Sequence, residues 1–228
     1  MVEVGHGAQL GLTIASPPTV RPGRDFPVWG EYGNSGDQDL AAPLVYVTSP
    51  TQAPMRLFPD QGLSTTPIQI LGVSYDGPVG ILRPATTQTY RLYSNSTGFG
   101  GTVMRFRVRA KMAGAEPIED WDAVEAQVKP EGVDPDAWAA AWSAFRGRAG
   151  TTWGDYLGLL ADDAEALKQA FGEIVYSVDT LFQFELDQLF SDLYSTGEEE
   201  AAGLSVGGIR APTKSGMAEQ PMIYERKR

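Results

Sequence analysis

The stretch FPVWGEYGNSGD, residues 26–37, contains the pattern that decides the fold of the first half of the chain. Phe26, Val28, Gly30 and Tyr32 occupy alternate positions, which places them on one face of a β-strand. The segment Asn34-Ser35-Gly36-Asp37 follows at once and is typical of a turn, because Asn and Gly accept positive φ. The stretch therefore predicts a core-facing strand that ends in a tight turn.

Similar stretches, rich in β-branched and aromatic residues and separated by Gly, Pro, Asn or Asp, recur on both sides of it. We expect strands near 10–14, 26–32, 44–47, 68–73, 89–93 and 103–110. Met104, Phe106, Val108 and Ala110 share the inward face of the last one. This spacing predicts an antiparallel, Ig-like β-sandwich over residues 1–112.

After residue 112 the spacing of hydrophobic residues changes from every second residue to the spacing of a helix. Asp134-Pro135-Asp136 is a helix start, with a side-chain cap, Pro at the first helical position and acids at the positive end of the helix dipole. A shorter helix before it should end at Lys129-Pro130, because the residue before Pro disfavours the α conformation. A third helix should open at Thr152-Trp153-Gly154-Asp155.

The run Asp162-Asp163-Ala164-Glu165 resembles a second capping box. It predicts a last helix that reaches Tyr194 unless Gly172 breaks it. This helix would have about 30 residues, each of which adds about 1.5 Å to its length. No periodicity follows, so residues 113–196 are expected to form a helical subdomain and residues 197–228 a flexible tail or linker. The fold class expected is α+β, an N-terminal β-sandwich followed by an acidic helical subdomain.

The composition excludes several classes of function. The 228 residues carry a formal net charge of -11, which argues against nucleic-acid binding because phosphate needs a cationic surface. The chain has no cysteine and a single histidine, His6, so disulfides, thiolate metal sites and multi-histidine sites are excluded, and a Ser-His-Asp triad is disfavoured. No apolar run has the length of a membrane span. No catalytic or cofactor-binding residue is assigned.

The charge is distributed unevenly along the chain. Residues 1–112 hold seven acids and nine bases, whereas 113–200 hold twenty acids and four bases. Arg105, Arg107, Arg109 and Lys111 alternate with core residues and so project from one face of one strand, where like charges repel. We expect these four bases to dock the acidic helical region on the sandwich. The alternative is a solvated strand whose arginine stems lie along the sheet.

Three other groups of residues have a possible ligand chemistry. Asn34, Asp37 and Asp39 offer oxygen ligands that could bind calcium, although a turn in which Asn and Asp bond to the local backbone explains them better. Asp162, Asp163 and Glu165 could serve a hydrolase as acid and base, but neighbouring helical residues diverge and a cap accounts for them. Tryptophans could stack against sugars, but their helical spacing indicates core positions; they are Trp121, Trp138, Trp142 and Trp153.

Residues of about 8–112 resemble a CARDB-type or related bacterial Ig-like module. The resemblance lies in a leading strand with Leu10, Leu12 and Ile14, in Pro22-Gly23, and in the strand and turn from Phe26 to Gly36. The resemblance also includes the segment with Asp39-Leu40 and Pro43, which leads back across the sheet, and two late strands. The helical part has no place in that family's pattern, but it resembles inter-module regions of very large bacterial surface proteins, some with RHS-type repeats.

The resemblance implies a module of a larger secreted chain, located outside the cell or at the bacterial surface. We expect a non-catalytic structural, adhesion or spacer role, with neighbouring domains or a protein or glycan surface ligand as partners. A carbohydrate- or calcium-binding module is the alternative, and a hydrolase ranks below it. No cofactor is expected unless calcium binds.

Overall fold

A computed structural model describes residues 5–96, 101, 103–118 and 120–201, without side chains over 195–201. The class is α+β, as predicted: strands that pair antiparallel come first and four helices follow. The strands are β1 Leu10–Ala15, β2 Asp25–Asn34, β3 Leu40–Ala41, β4 Leu44–Thr48, β5 Met55–Arg56, β6 Ile68–Leu71, β7 Ile81–Leu82, β8 Thr86–Asn95 and β9 Arg107–Lys111. The helices are α1 Trp121–Val128, α2 Pro135–Ala149, α3 Trp153–Phe171 and α4 Val178–Ala201.

The strands form two main antiparallel sheets and one two-stranded ribbon. The first sheet has the order β1-β2-β8-β5 and the second the order β6-β4-β9, while β3 pairs with β7. The long strands β2 and β8 lie side by side over their whole length, from Asp25 opposite Asn95 to Asn34 opposite Thr86. All six strands expected from the sequence are present, and the three that were not expected are two residues long.

The alternating residues of β2 point into a core that both sheets share. Phe26, Val28 and Tyr32 are buried there, which confirms the predicted face. Val45, Val47 and Ile70 of the second sheet pack against the same cluster, and so do the expected inward residues of the last strand. These are Met104, Phe106, Val108 and Ala110.

Gly30 lets an aromatic pair enter this core. A Cβ on Gly30 would lie 1.9 Å from Cζ of Tyr90, its neighbour across the sheet. The Tyr90 ring stacks on Tyr32, with centroids 6.1 Å apart, and the Tyr32 hydroxyl donates a hydrogen bond to the Val73 carbonyl at 3.0 Å. Burial accordingly raises the pKa of both phenols above the ordinary value.

Two of the helix starts read from the sequence are confirmed. The Asp134 carboxylate caps α2 by accepting hydrogen bonds from the backbone N–H groups of Asp136 and Ala137. Thr152 and Asp155 form a reciprocal capping box at the start of α3. Hydrogen bonds from the side chain and backbone of Thr152 lower the pKa of the Asp155 carboxyl.

The predicted helix start at Asp162 is wrong. Asp162 and Asp163 lie in the middle of α3, which continues to Phe171 and ends where Gly172 adopts a left-handed conformation at φ 76°. Gly172 therefore does break the long helix, because glycine takes this conformation without a steric penalty. The next helix, α4, begins at Val178 and continues through residues 197–201, so the expected tail overlaps it. The remainder of that tail, 202–228, lies outside the described residues.

The helices join the sheets through a second apolar core. Leu44, Leu71 and Val79 from the strand region pack there with Leu160 of α3 and Leu181 of α4. The chain between α3 and α4 also pairs with β6, since the backbone N–H of Leu71 donates to the Tyr176 carbonyl at 2.8 Å. Sheets and helices thus share one interior across the expected boundary between residues 112 and 113.

Candidate functional site

The cationic strand face lies where its alternation predicts, but of its four bases only Lys111 contacts the helical region as described. Arg107 and Arg109 of β9 and the preceding Arg105 are exposed. In the described part of the chain none of the three guanidinium groups has an ion pair or a hydrogen bond. Lys111 alone is paired, with Glu116, and its ammonium lies 5.7 Å from the centroid of the Trp153 ring.

Arg105, Arg107 and Arg109 therefore do not dock on any described acid of the helical region, contrary to expectation, and the reason lies in the order of the strands. The helices pack on β6 and on Leu44 at one end of β4, whereas β9 is the opposite edge of the three-stranded sheet. Burial of apolar side chains between Leu71 and Leu160 determines the docking, since apolar area contributes about 25 cal/mol per Å² and exposed ion pairs contribute little. Lys111, at the covered end of the strand, is the one base of the four that meets the helical region.

Asn34 and Asp37 bond to the local backbone, and Asp39 is exposed. Asn34 is buried, and its Oδ1 accepts hydrogen bonds from the backbone N–H groups of Gln9 and Gly36. Its Nδ2 donates to the carbonyls of Gln38 and Leu82 at 2.6 and 3.0 Å. Asp37 Oδ2 accepts from the His6 backbone N–H. Asn34 thus ties the turn to β1 and β7, because its amide oxygen and its amide nitrogen each make two hydrogen bonds to the backbone. This arrangement is the one expected from the sequence as the alternative to calcium binding.

The acids of α3 point in different directions, as expected. Asp162 is exposed and Asp163 is buried. Glu165 accepts a hydrogen bond from the Val79 backbone N–H at 3.3 Å and lies 3.8 Å from the ammonium of Lys168. Asp162 and Glu165 line the same surface depression, but Asp163 does not. Among the described residues there is also no group of three or more His, Cys, Asp or Glu placed to hold a metal ion.

The sequence did not reveal that Asp163 belongs to a buried cluster of three helices. Its carboxyl lies against that of Glu185 on α4, which is only 2% exposed and accepts from Arg148 Nη2 of α2 at 2.8 Å. Burial and the charge of Glu185 raise the pKa of Asp163 to about 7. The pKa of the Tyr156 hydroxyl is raised by burial and by the charges of Glu185, Asp179 and Asp163. The cluster lies between α2, α3 and α4 and reaches the surface at Arg148.

The helical tryptophans are core residues, as their spacing predicted. Trp121, Trp138 and Trp142 are between 1% and 7% exposed, and Trp138 stacks on Trp142 with centroids 5.8 Å apart. The Trp138 indole N–H donates to Glu125 on α1 at 2.8 Å. Trp153 is half-buried against Tyr156. These rings hold α1 and α2 on α4 and offer no shared open face to a sugar.

An exposed aromatic and cationic row lies instead on the outer face of β2 and β8. Trp29 is 48% exposed, and the guanidinium carbon of Arg91 lies 5.4 Å from its ring centroid and 4.9 Å from that of Tyr93. Arg56 lies 5.9 Å beyond the Tyr93 ring and pairs with Asp25. Sequence reasoning missed this row, although the period of two that buries Val28 and Gly30 necessarily turns Trp29 outward.

Two surface depressions adjoin the helices. The larger one, about 560 Å³, lies between the 77–81 loop and α3 and has only Asp162 and Glu165 as ionisable lining residues. The smaller, about 180 Å³, lies between β5 and the start of α4 and is lined by Arg56 and Asp179 among neutral residues. Burial raises the pKa of the Asp179 carboxyl, but no nucleophile and base stand together in either depression as described.

None of the described helices has both the length and the apolar character needed to cross a bilayer. A comparison of the sequence with protein-family models finds no match, and a comparison with curated proteins finds no significant one.

Proposed function

We propose that this chain is a non-catalytic structural module that acts as a rigid spacer or adhesion unit in a larger extracellular bacterial protein. The observation that carries the proposal is the core shared by sheets and helices, in which Leu44 and Leu71 pack with Leu157, Leu160 and Leu181. Such a core couples the two parts into one mechanical unit, which is what a spacer requires. The likeness of residues 8–112 to a CARDB-type Ig-like module supports the same role and a location at the cell surface.

Pulling the protein by its two ends tests the spacer role. The chain has no cysteine, so cysteines introduced near residues 5 and 201 give unique attachment points for an optical trap. A rigid spacer with a shared core should unfold in one step that releases the whole folded length. Separate release of the helices at low force, before the sheets yield, would contradict the proposal.

A carbohydrate-binding role is the second candidate, and the exposed row on β2 and β8 favours it. Trp29 and Tyr93 are aromatic rings on an open sheet face, and Arg91 between them has no carboxylate partner among the described side chains. Aromatic rings and guanidinium groups together suit a sugar that bears a carboxylate. A screen of neutral and acidic glycans, with and without calcium, tests this role by comparing the parent protein with Trp29→Ala. Retention lost in that variant supports it, and equal retention by both excludes the row as the site.

A further inference from the structure

The outer face of β9 and the chain before it combines charge with exposed apolar surface. Val103, Arg105, Arg107 and Arg109 alternate outward, and Val103 is 62% exposed. Successive guanidinium stems on one strand face lie about 7 Å apart, because a strand rises about 3.4 Å per residue. The described chain offers these three arginines no carboxylate. Within the described part of the molecule the repulsion among them is therefore uncompensated.

The residue types on this face suit a protein partner. Arginine forms two parallel hydrogen bonds to a carboxylate and is enriched in protein interfaces, whereas lysine is depleted there. The three unpaired bases are arginines, and the one lysine of the series, Lys111, is already paired with Glu116. Val103 adds an apolar contact at the end of the row. The matching surface should present several carboxylates that have no other cation.

Exposed carboxylates occur along α1, α2 and the chain next to them, which we call the α1–α2 acidic surface. Asp120, Asp122, Glu131 and Asp136 are exposed, and their carboxylates have no ion pair or hydrogen bond in the part of the molecule described. Lys129 is the only base between residues 113 and 145. No ion pair joins these carboxylates to Arg105, Arg107 or Arg109 among the described residues.

We propose that the arginine face of one copy, Arg105, Arg107 and Arg109, binds the α1–α2 acidic surface of a second copy. The contact joins two different surfaces, so each pair of molecules keeps one free surface of each kind and can add further copies in a row or ring. A dense polyanion such as a nucleic acid is a poorer occupant, because the net charge of -11 repels it, while a second copy brings both signs. The proposal does not depend on the spacer function.

Sedimentation velocity of the full chain over a range of concentrations tests the proposal. We expect association in low salt that is lost at about 0.5 M salt, where the Debye length falls well below 8 Å. Arg105→Gln/Arg107→Gln should weaken it at least about tenfold, equivalent to about 1.4 kcal/mol. Asp122→Asn/Glu131→Gln should do the same. Arg24→Gln and Asp60→Asn, which neutralise exposed charges elsewhere, are the matched controls and should associate like the parent.

A mixture of the two double variants gives the decisive result. Each retains one intact surface, so the variants should form a 1:1 complex that grows no further, although neither associates alone. Unchanged thermal unfolding of both variants, whose substituted residues are exposed, shows that folding is not the cause. A parent that stays monomeric in low salt overturns the proposal, as does association that survives Arg105→Gln/Arg107→Gln. Binding of the monomeric parent to an acidic polymer would also overturn it, by assigning the face to another ligand.

Discussion

The Arg148 guanidinium on α2 donates to the Glu185 carboxylate on α4, at 2.8 Å from Nη2 and 3.3 Å from Nε. Glu185 is 2% exposed and the Arg148 side chain 35% exposed, so the ion pair runs from the surface into the helical interior. Asp163 of α3 completes the group, and its Oδ2 has no hydrogen-bond partner among the described atoms. One partly exposed cation therefore compensates two buried carboxyl groups.

Arg148→Met should destabilise the protein, because it leaves Glu185 buried without a counter-charge. Removal of one partner from a buried pair costs about 3–5 kcal/mol, and the partial exposure of Arg148 puts the expected loss near the lower value. Urea unfolding measures it. Lys168→Met is the control, since Lys168 and Glu165 are both half-exposed, lie 3.8 Å apart within one helix and leave no buried charge when separated, so the pair is worth about 0–1 kcal/mol. Equal losses in the two variants would contradict the role of the buried pair.

Asp163→Asn should change how stability depends on pH. The pKa of Asp163 is about 7 in the folded protein, and the ordinary value is 3.8, so the folded state holds a proton that the unfolded state has released between these values. The free energy of unfolding of the parent should fall as pH rises through this window and stay lower above it. The variant should lack this fall, and its advantage over the parent should grow from pH 4 to pH 7.

The groups that face Asp163 are Arg148 on α2, Tyr156 and Asp162 on α3, and Glu185 on α4. Asp162→Asn therefore serves as the control for this titration, because it changes a neighbouring but exposed carboxylate. Thermal unfolding of parent and both variants at half-unit pH intervals makes the comparison. Parallel pH profiles for the parent and Asp163→Asn would show that Asp163 does not bind the proton.

Trp142→Ala should cost about 3–5 kcal/mol, the usual range for removal of a large buried aromatic side chain. Trp142 packs against Trp138 and Phe145, with ring centroids 5.8 and 5.0 Å away. Trp29→Ala should lose much less, mainly a cation–π contact of about 0.5–1 kcal/mol with Arg91. Chemical denaturation compares the two. A smaller loss for Trp142→Ala than for Trp29→Ala would reverse the assignment of core and surface.

Gly30→Ala should destabilise the sheets by about 1–3 kcal/mol, the usual cost of overpacking a core. The added methyl group would meet the Tyr90 ring at 1.9 Å, so the Tyr32–Tyr90 stack would have to move. Gly11→Ala is the matched control on the neighbouring strand, since its nearest contact is the Gly33 carbonyl at 3.8 Å. A stabilised Gly30→Ala variant would mean that Tyr90 can vacate this space freely.

Local patterns were sufficient to predict most of the secondary structure. The alternation from Phe26 to Tyr32 gave the core face of β2, and Asp134-Pro135 gave the start of α2, because each is set by neighbours in the chain. The same alternation implies that Trp29 is exposed. The Asp162-Asp163 pair was misread as a cap because its partners, Arg148 and Glu185, are distant in sequence.

The long-range arrangement could not be predicted in the same way. The sequence does not say which strand lies at an edge or which sheet face the helices cover. Both depend on how side chains that are distant in sequence, such as Leu71 and Leu160, pack together. The direction of the arginine row on β9 was predicted correctly from its alternation, since a strand turns every second residue outward. The partner of the arginine row was not predicted correctly, because opposite net charges on two segments do not specify which surfaces come into contact.

Hydrogen exchange of Leu160→Ala, resolved by segment, tests the central claim that sheets and helices form one unit. Leu160 is fully buried in the shared core, and its truncation should cost about 2–5 kcal/mol. The amides of β4 and β6 should lose as much protection as those of α3 and α4, whereas Phe171→Ala, at a side chain 74% exposed, should change neither. Faster exchange confined to the helices, with β4 and β6 unchanged, would show that the sheets fold without them and would contradict the account.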